Sequence, residues 1–558
     1  MTNRDGPRRR TTGHPYERKG SAAVLAPAGT TEVSIFAPAK TPIHPPFTVT
    51  TYTLDMVNPD AAEIERKYDV TESTALPDLQ SIDGVTRVER SQVFELEAVY
   101  FDTEECALAA HHITLRRRTG GDDAGWHLKL PVSDDERSEL HEPLGADPES
   151  VPRRLRERVA AIVRTQQLTP VVRLTTHRAV HRLRGPGDEL LALFCDDEVE
   201  TVRLVGEPLG QSWREWELEL VDGDIPLLDA AERLFAVTRV SRSDSPSKLA
   251  RALGDIVPKA AEPAVFEPGT AGFLLVKALR GYRDELVNND PLVREDHSES
   301  IHNMRISTAK FRAALGTFHR LLSDDDASML RRELGWIGHI LGAARDLDVI
   351  AERLAGRLRT ESAPQIIGPI GERISQQLSE ETAAAKAVLL ESLDSDRYFR
   401  LLDSIDSFVA DPRLSNSASG AATSVLSGLV DSRIHALFAA MRAADETTDR
   451  SRHDLALHEV RKAAKEVRYG AELLLPIKPN RARRLAKIAK RVQDTLGEQH
   501  DSVVARNTVE RLAAAAFLVG ENTFTYGRLH RTEQDLGEDA EARYERLLRR
   551  IPKSLRQA

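Results

Sequence analysis

The sequence predicts an α+β protein of several domains, with a closed antiparallel β-barrel followed by an all-α region built as a duplicated helical bundle. Segments with charge at every second position dominate residues 58–255, and long amphipathic segments rich in Ala, Leu, Arg and Glu dominate residues 268–552. The second region also repeats itself. At 558 residues, the chain is too long for one hydrophobic core, so two to four compact units are expected.

Composition narrows the class of protein. Hydrophobic residues make up 41% of the chain and charged residues 29%, which is typical of soluble globular proteins, and the longest apolar runs are too short to span a membrane. The two cysteines, Cys106 and Cys195, match no zinc or redox spacing, which favours a reducing, cytoplasmic setting with both thiols buried. The net charge of −10 indicates no nucleic-acid partner, so any basic site must be a local concentration.

Residues 1–57 have no sustained helical or strand periodicity. They are rich in Pro, Thr, Ala and Gly, and we expect a disordered extension. Three consecutive arginines are followed by no long apolar stretch, so a secretory signal is not predicted. Met56 lies shortly before the first predicted strand, and the sequence leaves open whether Met1 or Met56 is the true start.

Residues 58–255 are predicted to be mostly strand, with Gly, Asp and Pro turns between the strands. Two helical pieces interrupt them, VPRRLRERVAAIVRTQ and the segment from Leu227 to Phe235. A stretch rich in Pro, Ala and Glu over residues 256–267 predicts a linker. The strand candidates are AEIERKYDV, QVFELEAVYFDT, ITLRRRT, GWHLKLPV, VVRLTTHRAVHRL, LLALFCDDEVETVRLV and SWREWELELVDG.

Charged residues alternate along several of these strands while their opposite faces are apolar. For a single strand, a solvent-exposed charged face is the ordinary explanation. Recurrence over several strands favours a barrel with a polar interior whose apolar residues pack outward. Carboxylates suit hard divalent cations and Arg and Lys suit phosphate chains, so the pattern predicts a metal-assisted phosphate site. The charged sets are Glu63, Glu65 and Lys67, Arg116 and Arg118, His127 and Lys129, and Glu215, Glu217 and Glu219.

This region resembles the CYTH superfamily, the triphosphate tunnel metalloenzymes. Glu63-x-Glu65-x-Lys67 matches the family's ExExK signature, and YFDT, LRRRT, WHLKLP, VVRLTTHR, CDDEV, WELEL and SPSKLARAL follow in the family's order. The resemblance implies a closed β tunnel that binds an inorganic triphosphate with Mg²⁺ or Mn²⁺ and hydrolyses it by in-line attack of water.

The resemblance also implies roles for individual residues. The metal-binding set is Glu63, Glu65, Asp196, Glu217 and Glu219, and Glu63, Glu65 and Lys67 are the catalytic candidates. The phosphate-binding set is Lys67, Arg116, Arg118, Lys129, Arg173, Arg178 and Lys248. The choice between Arg173 and Arg178, and that between Asp196 and Asp197, stays open.

The all-α region is predicted to contain two bundles, at about 268–410 and 422–552. SIHNMRISTAKFRAAL is echoed by ALHEVRKAAKEVRYGAEL, and LGAARDLDVIAERL by LGEQHDSVVARNTVERL, at nearly the same offset. On the first helix His302, Arg305 and Arg312 fall within about an 80° arc, opposite an apolar stripe. A solvated basic face would explain one such helix, but its duplication favours a basic groove for a long polyanion.

This region resembles the CHAD domain, the conserved histidine α-helical domain that often follows CYTH. The resemblance implies binding of inorganic polyphosphate, with histidines as hydrogen-bond donors to phosphate. Asp346 and Asp501 are expected to cap the site or pair with its basic groups. The candidate residues are His302, Arg305, Lys310, Arg312, Arg345, His458, Arg461, Lys465, Arg468 and His500.

We therefore expect a cytoplasmic, metal-dependent triphosphatase that binds polyphosphate and associates with polyphosphate granules. Three alternatives stay open: a non-catalytic polyphosphate-binding protein, a nucleoside or thiamine triphosphatase, and an adenylate cyclase. The expected partners are inorganic triphosphate and polyphosphate, without a membrane, and the sequence leaves the oligomeric state open.

Overall fold

The computed structural model describes residues 62–89, 91–132, 135–147, 149–258 and 266–551. The predicted extension over residues 1–57, the choice between Met1 and Met56, and most of the predicted linker lie outside these residues.

An antiparallel β-barrel forms the first half of the described chain, as predicted. Its strands are β1 (Ala62–Val70), β2 (Arg87–Val88), β3 (Gln92–Asp102), β4 (Thr114–Thr119), β5 (Gly125–Pro131), β6 (Glu136–Glu142), β7 (Thr169–Arg184), β8 (Leu190–Arg203), β9 (Gly210–Leu220) and β10 (Ser241–Arg242). The strand order is β1-β6-β5-β4-β3-β7-β8-β9, and β9 pairs with β1 to close the ring. The short strands β2 and β10 pair with β7 and β1.

The barrel has a charged interior and an apolar outer face. Cross-strand pairing places Lys67 opposite Glu217. Tyr68 and Trp216 alternate with these residues and pack outward, with ring centroids 4.8 and 5.5 Å from that of Phe235. The helices of this region are α1 (Ala107–Ala110), α2 (Arg153–Arg158), α3 (Ala160–Val163), α4 (Ile225–Val237) and α5 (Lys248–Leu253). The outer face is therefore buried by helices such as α4, while the polar face lines the tunnel.

Helices form the rest of the described chain. Their bounds are α6 (Ala271–Arg294), α7 (Ser300–Thr317), α8 (Asp324–Thr360), α9 (Ile370–Leu393), α10 (Asp396–Ala410), α11 (Ala422–Asp445), α12 (Arg450–Glu472), α13 (Pro479–Leu518) and α14 (Phe524–Arg550). Within the described ranges, none of these helices combines the length and the apolarity that a bilayer span requires.

The helical region is the predicted duplicated bundle. Helix α7 packs between α6 and α8, and α12 packs between α11 and α13 in the same way. Met304 and Phe311 of α7 share one apolar core with Val460 and Val467 of α12. Helices α7 and α12 also contact each other across the two halves. This contact brings the two predicted basic stripes to one junction.

Helices α2 and α3 join the barrel to the helical region. Leu155 packs into the apolar cluster on the outside of the barrel. On the other side, Arg158 Nη1 donates to the Glu295 carboxylate at 3.0 Å and Arg164 Nη2 donates to that of Asp406 at 2.5 Å. Because the guanidinium groups of Arg158 and Arg164 are largely buried, these ion pairs hold the two regions in direct contact.

Candidate functional site

The barrel interior brings together most of the predicted tunnel residues. A cavity of about 130 Å³ opens into the barrel. Alternation along the strands supplies every one of its predicted residues except Lys248, which lies on α5. The predicted residues that line it are Glu63, Glu65, Lys67, Arg116, Arg118, Lys129, Arg178, Glu217, Glu219 and Lys248.

The predicted metal ligand Asp196 does not line this cavity, and Asp197 takes the inward position. Strand β8 pairs Asp197 with Glu215, so the two side chains share the face that points into the tunnel. The Asp196 carboxylate lies on the opposite face, where it accepts hydrogen bonds from Arg214 at 2.6 and 2.8 Å. The register of β8 against β9 decides between the two aspartates.

Strand β7 separates Arg173 from Arg178. The two residues are an odd number of positions apart, and the register between β7 and β8 is regular over this stretch, so they point to opposite faces. Arg173 is exposed and away from the cavity, which corrects its assignment to the phosphate-binding set. Arg178 lines the cavity and donates to the Asp197 carboxylate at 2.6 and 2.8 Å and to Glu217.

Three buried carboxylates surround the Lys248 ammonium. Oxygens of Asp197, Glu215 and Glu217 lie within 4.8 Å of one another, close enough to share a cation. Lys248 Nζ lies 2.9, 2.6 and 2.6 Å from these three carboxylates. Burial alone would lower the pKa of Lys248, but the carboxylates raise it well above its usual value. In this structure, the ammonium is therefore the cation that the three carboxylates share.

In a second group of carboxylates, fewer of the negative charges are paired with a cationic side chain. Glu65 and Glu219 face each other across β1 and β9. Glu63 pairs with Lys129 at 2.6 Å and Glu65 with Lys67, whereas Glu219 makes no ion pair with any residue of the described ranges. Burial and the Glu63 carboxylate raise the pKa of Glu219 to about 7. Since like charges opposite each other are unfavourable and carboxylate oxygens suit hard cations, this group fits a divalent metal.

The basic side of the tunnel is crowded with guanidinium groups. Arg118 is 6% exposed, and burial together with Arg116 and Arg178 lowers its pKa to about 9. Burial alone would lower the pKa of Arg116, but Tyr100 and Glu139 raise it. Several like charges held out of water form a site that an anion would stabilise.

Sequence reasoning missed several residues of this site. Glu139 lies on β6, where its carboxylate is 2.6 Å from His127 Nδ1 and 3.7 Å from Lys129 Nζ. Tyr100 is the cross-strand partner of Arg116. Successive side chains of a strand point to opposite faces, so a residue's position relative to an inward-facing one shows its direction. For these residues, that comparison needs the strand register, which the sequence does not give. The residues missed as tunnel ligands are Tyr100, Asp123 and Glu139.

The helical region has its own basic cluster where α7 meets α12. The Nε atoms of Arg305, Arg461 and Arg468 are buried and lack a hydrogen-bond partner within the described residues. Burial together with Arg461 and Arg305 lowers the pKa of Lys465 to about 7. These cations are close enough to repel one another, so the cluster favours an anionic ligand.

Histidines from both halves of the duplication line the same region. The rings of His458 and His500 lie 4.6 Å apart. Burial lowers the pKa of both histidines, and the nearby Arg461 lowers it further. The pKa of His458 falls to about 4. His302 and His458 each have a buried Nδ1 without a partner among the described residues. The rings are therefore neutral at pH 7 and keep hydrogen-bonding capacity for a ligand.

Other predicted polyphosphate residues lie at the edge of this cluster or away from it. Lys310 is about 140° around α7 from Arg305. Its Nζ lies 3.6 Å from the Glu472 carboxylate and 5.7 Å from the Tyr282 ring, so it does not join the cluster. Arg312 is exposed.

A further predicted cation, Arg345, lies on α8 and reaches the turn before α7. Arg345 pairs with Glu299 at 3.2 Å. Asp346 and Asp501 act electrostatically on Arg461, but no ion pair within 4.0 Å joins them to a basic group of the described ranges. The predicted ion pairs between these two aspartates and basic side chains are therefore absent from the described residues.

Family models match both parts of the chain, the CYTH domain at residues 61–253 and the CHAD domain at residues 277–510. The fold and the charged tunnel define a CYTH-type barrel joined to an α-helical domain with basic stripes. The chain belongs to the family of proteins in which a CYTH domain is followed by a CHAD domain. CYTH domains are in general metal-dependent and resemble triphosphatases and cyclases.

Relatives extend over both domains or one of them. Rv2226 of Mycobacterium tuberculosis is 38% identical over 510 residues, which cover 89% of this chain and 97% of the relative. PptA from Streptomyces chartreusis is 22% identical with a TM-score of 0.43, covering 50% of this chain and 100% of that one. The CHAD domain of the plant Ricinus communis is 22% identical with a TM-score of 0.41, covering 53% and 97%.

We expect Lys248→Ala to destabilise the barrel by about 3 to 5 kcal/mol at neutral pH, because it leaves buried carboxylates without their cation. Arg251→Ala on the same helix is the control, since Arg251 makes a partly exposed ion pair with Asp69 at 2.7 Å and its loss should cost about 1 kcal/mol or less. Thermal and urea unfolding of the full chain measure both.

The pH dependence checks the cause of this loss. Lys248 holds the pKa of Glu217 well below its usual value despite burial, so its stabilisation is present above the ordinary carboxylate pKa and is lost as pH falls. The stability gap between wild type and Lys248→Ala should therefore narrow in acid. An equal gap at all pH values would contradict the ionic explanation.

Proposed function

We propose that the tunnel binds an inorganic triphosphate and hydrolyses its terminal phosphoanhydride with a divalent cation. One observation carries this proposal: a closed barrel holds an undercompensated carboxylate group and a crowded guanidinium group around the same cavity. The first suits a hard metal ion and the second suits phosphate oxygens, and a metal–triphosphate complex presents both.

Mg²⁺ or Mn²⁺ would be held by the carboxylates of Glu63, Glu65 and Glu219, since Glu217 pairs with Lys248. When bound, the metal supplies positive charge to the phosphoryl oxygens. Arg116 donates to phosphate oxygens together with the other cations of the cavity, and the barrel wall limits access of bulk water. The site would therefore bind a chain of regularly spaced phosphate groups.

The reaction is an in-line displacement. A water oxygen attacks the terminal phosphorus, the bridging P–O bond breaks, and orthophosphate and diphosphate leave. Carboxylates on β1 and β9 orient the water, while Arg116, Arg118 and Lys129 neutralise the charge that moves onto the bridging oxygen. No protein nucleophile is required, since water itself is the attacking group.

The lining of the tunnel favours an inorganic substrate over a nucleotide or thiamine triphosphate. Within the described residues, Tyr100 and His112 are the aromatic side chains that line the cavity, and Tyr100 interacts with Arg116. A purine or thiazolium group would usually be held by aromatic stacking and apolar contacts. Phosphate release from tripolyphosphate, ATP, thiamine triphosphate and long polyphosphate, with assay for cyclic AMP, separates the alternatives, and binding without turnover would indicate a non-catalytic holder.

A second proposal concerns the helical domain, which we infer binds inorganic polyphosphate. Three arginine Nε atoms at the junction of α7 and α12 are buried and lack a partner within the described residues. A buried polar group without a hydrogen bond is costly, so a ligand with many acceptor oxygens would relieve several such costs at once. A repeating polyanion provides these acceptors along its length.

The triphosphatase proposal predicts that Glu65→Gln lowers turnover of tripolyphosphate by about 10²- to 10³-fold, the scale of losing a major electrostatic contributor. The substitution keeps the side-chain shape and removes a charge from the proposed metal site. Glu97→Gln, on the exposed outer face of the barrel, is the matched control and should retain activity. Phosphate release with Mg²⁺ and Mn²⁺ measures both, and full activity of Glu65→Gln or of wild type in excess chelator would contradict the proposal.

The polyphosphate proposal predicts that the triple variant Arg305→Ala, Arg461→Ala and Arg468→Ala binds long polyphosphate at least about tenfold more weakly. Its affinity should also depend less on salt, because fewer counterions are displaced. Lys462→Ala is the control, since Lys462 is exposed on the same helix and pairs with Glu459. Fluorescence titration at several salt concentrations, with circular dichroism to check folding, tests this, and unchanged binding by the folded triple variant would sink the assignment.

The lowered pKa of Lys465 predicts a pH dependence of binding. Near pH 7 the free ammonium is partly deprotonated, and a bound polyanion raises its pKa, so binding takes up a proton. Affinity should fall as pH rises through 7, by about tenfold for each unit by which the ligand raises that pKa. Lys465→Arg stays charged and should flatten the profile. An identical profile in wild type and Lys465→Arg would remove Lys465 from the site.

A further inference from the structure

The loop between β4 and β5 places a carboxylate at the end of the tunnel. Asp123 lies on this loop, lines the cavity and pairs with Arg118. The Asp123 side chain is 58% exposed, whereas that of Arg118 is 7% exposed. One partner of this ion pair therefore belongs to the tunnel interior and the other to its rim.

The backbone of this loop is held in place on the barrel. Gly120 has φ +80°, and a Cβ there would lie 2.1 Å from the Glu95 carbonyl oxygen, so the chain can turn here only as glycine. Further along, the Asp123 carbonyl oxygen lies 2.9 Å from His127 Nε2. The loop backbone is thus held at Gly120 and at Asp123, and the Asp123 carboxylate contacts Arg118.

Four cations of the tunnel pair with interior carboxylates, and Arg118 differs from them; the four are Lys67, Lys129, Arg178 and Lys248. Arg178 is paired with Asp197 and Glu217, both buried. Within the described residues, the only ion pair of Arg118 is with Asp123. Because a buried guanidinium needs a counter-charge, Asp123 supplies from the rim what no interior carboxylate supplies at this position.

We propose that Asp123 is a specificity-determining residue, whose carboxylate holds the place of a substrate phosphate on Arg118 and must be displaced when a triphosphate binds. This inference rests on the proposed triphosphatase function and deepens it. The carboxylate and a phosphate oxygen are both anionic acceptors for the same guanidinium N–H groups, so they compete. Breaking the ion pair between Asp123 and Arg118 costs free energy, and this cost makes substrate binding weaker.

A second, open space adjoins the tunnel cavity. Lys67, His112, Arg137 and Pro246 line both the tunnel cavity and an adjoining open space of about 500 Å³. Asp123 lines the tunnel cavity but not that space. A chain of phosphates that extends from this space into the cavity would compete with Asp123 where one of its phosphates reaches Arg118.

The test compares Asp123→Asn with Asp122→Asn in the full-length chain. Asp122 is exposed, adjoins Asp123 and makes no ion pair with a residue of the described ranges, so it controls for loss of loop charge. Tripolyphosphate binding is followed by calorimetry and hydrolysis by phosphate release. Asp123→Asn should lower both Kd and KM by about three- to tenfold, with kcat within about twofold of wild type, and Asp122→Asn should change none of them.

A double-variant comparison isolates the contact. If Asp123 acts by competing for Arg118, Asp123→Asn should give no improvement in an Arg118→Ala background. An equal improvement there would show a general charge effect and would overturn the inference. Asp123→Ala repeats the measurement with a second side chain, and thermal melting confirms that each variant folds.

The outcomes separate this inference from the proposed function. Wild type that neither binds nor hydrolyses tripolyphosphate would overturn both. Wild type that binds and hydrolyses it, with Asp123→Asn and Asp123→Ala unchanged or weaker, would overturn the role of Asp123 alone. A weaker Asp123→Asn variant would instead indicate that Asp123 contacts the substrate complex favourably.

Discussion

The structure depends on the pairing of buried charges inside a closed barrel. A barrel whose apolar face packs outward must enclose its charged face, and removing ions from water is costly unless each finds a counter-charge. Closure of β9 on β1 meets part of this demand, because it sets Lys67 opposite Glu217. It also creates a conflict, since the same register sets Glu65 opposite Glu219. The interior is therefore stable where charges alternate and open to a ligand ion where they do not.

Lys248 neutralises a group of three buried carboxylates in the barrel with a side chain of the protein itself. Three carboxylates close enough to share a metal ion share an ammonium instead, supplied by a short helix with Ser247 as its N-cap. A search for clustered carboxylates alone would place a metal there. The pairing pattern favours the neighbouring group around Glu219, because Glu219 makes no ion pair with a residue of the described ranges and its pKa is raised to about 7.

The alternation of charged residues was sufficient to predict the barrel and most of its interior, because the strand period of two fixes which residues share a face. It could not choose between Asp196 and Asp197, since adjacent residues always point to opposite faces and only the register with β9 tells which faces inward. For Arg173 and Arg178 the same rule already excluded that both point inward. Glu139 was missed because its strand, β6, was not among the predicted strands.

The helical domain follows the same electrostatic rule with a different outcome. Its apolar core cannot hold arginines, so Arg305 and Arg461 lie where two similar helices meet, and there they gather without carboxylates at hydrogen-bonding distance within the described residues. The ion pairs of Arg158 and Arg164 hold this domain directly against the barrel. Should both proposed sites bind parts of one polyphosphate chain, the gain in local concentration at the tunnel would be set by this fixed contact and not by the length of a flexible linker.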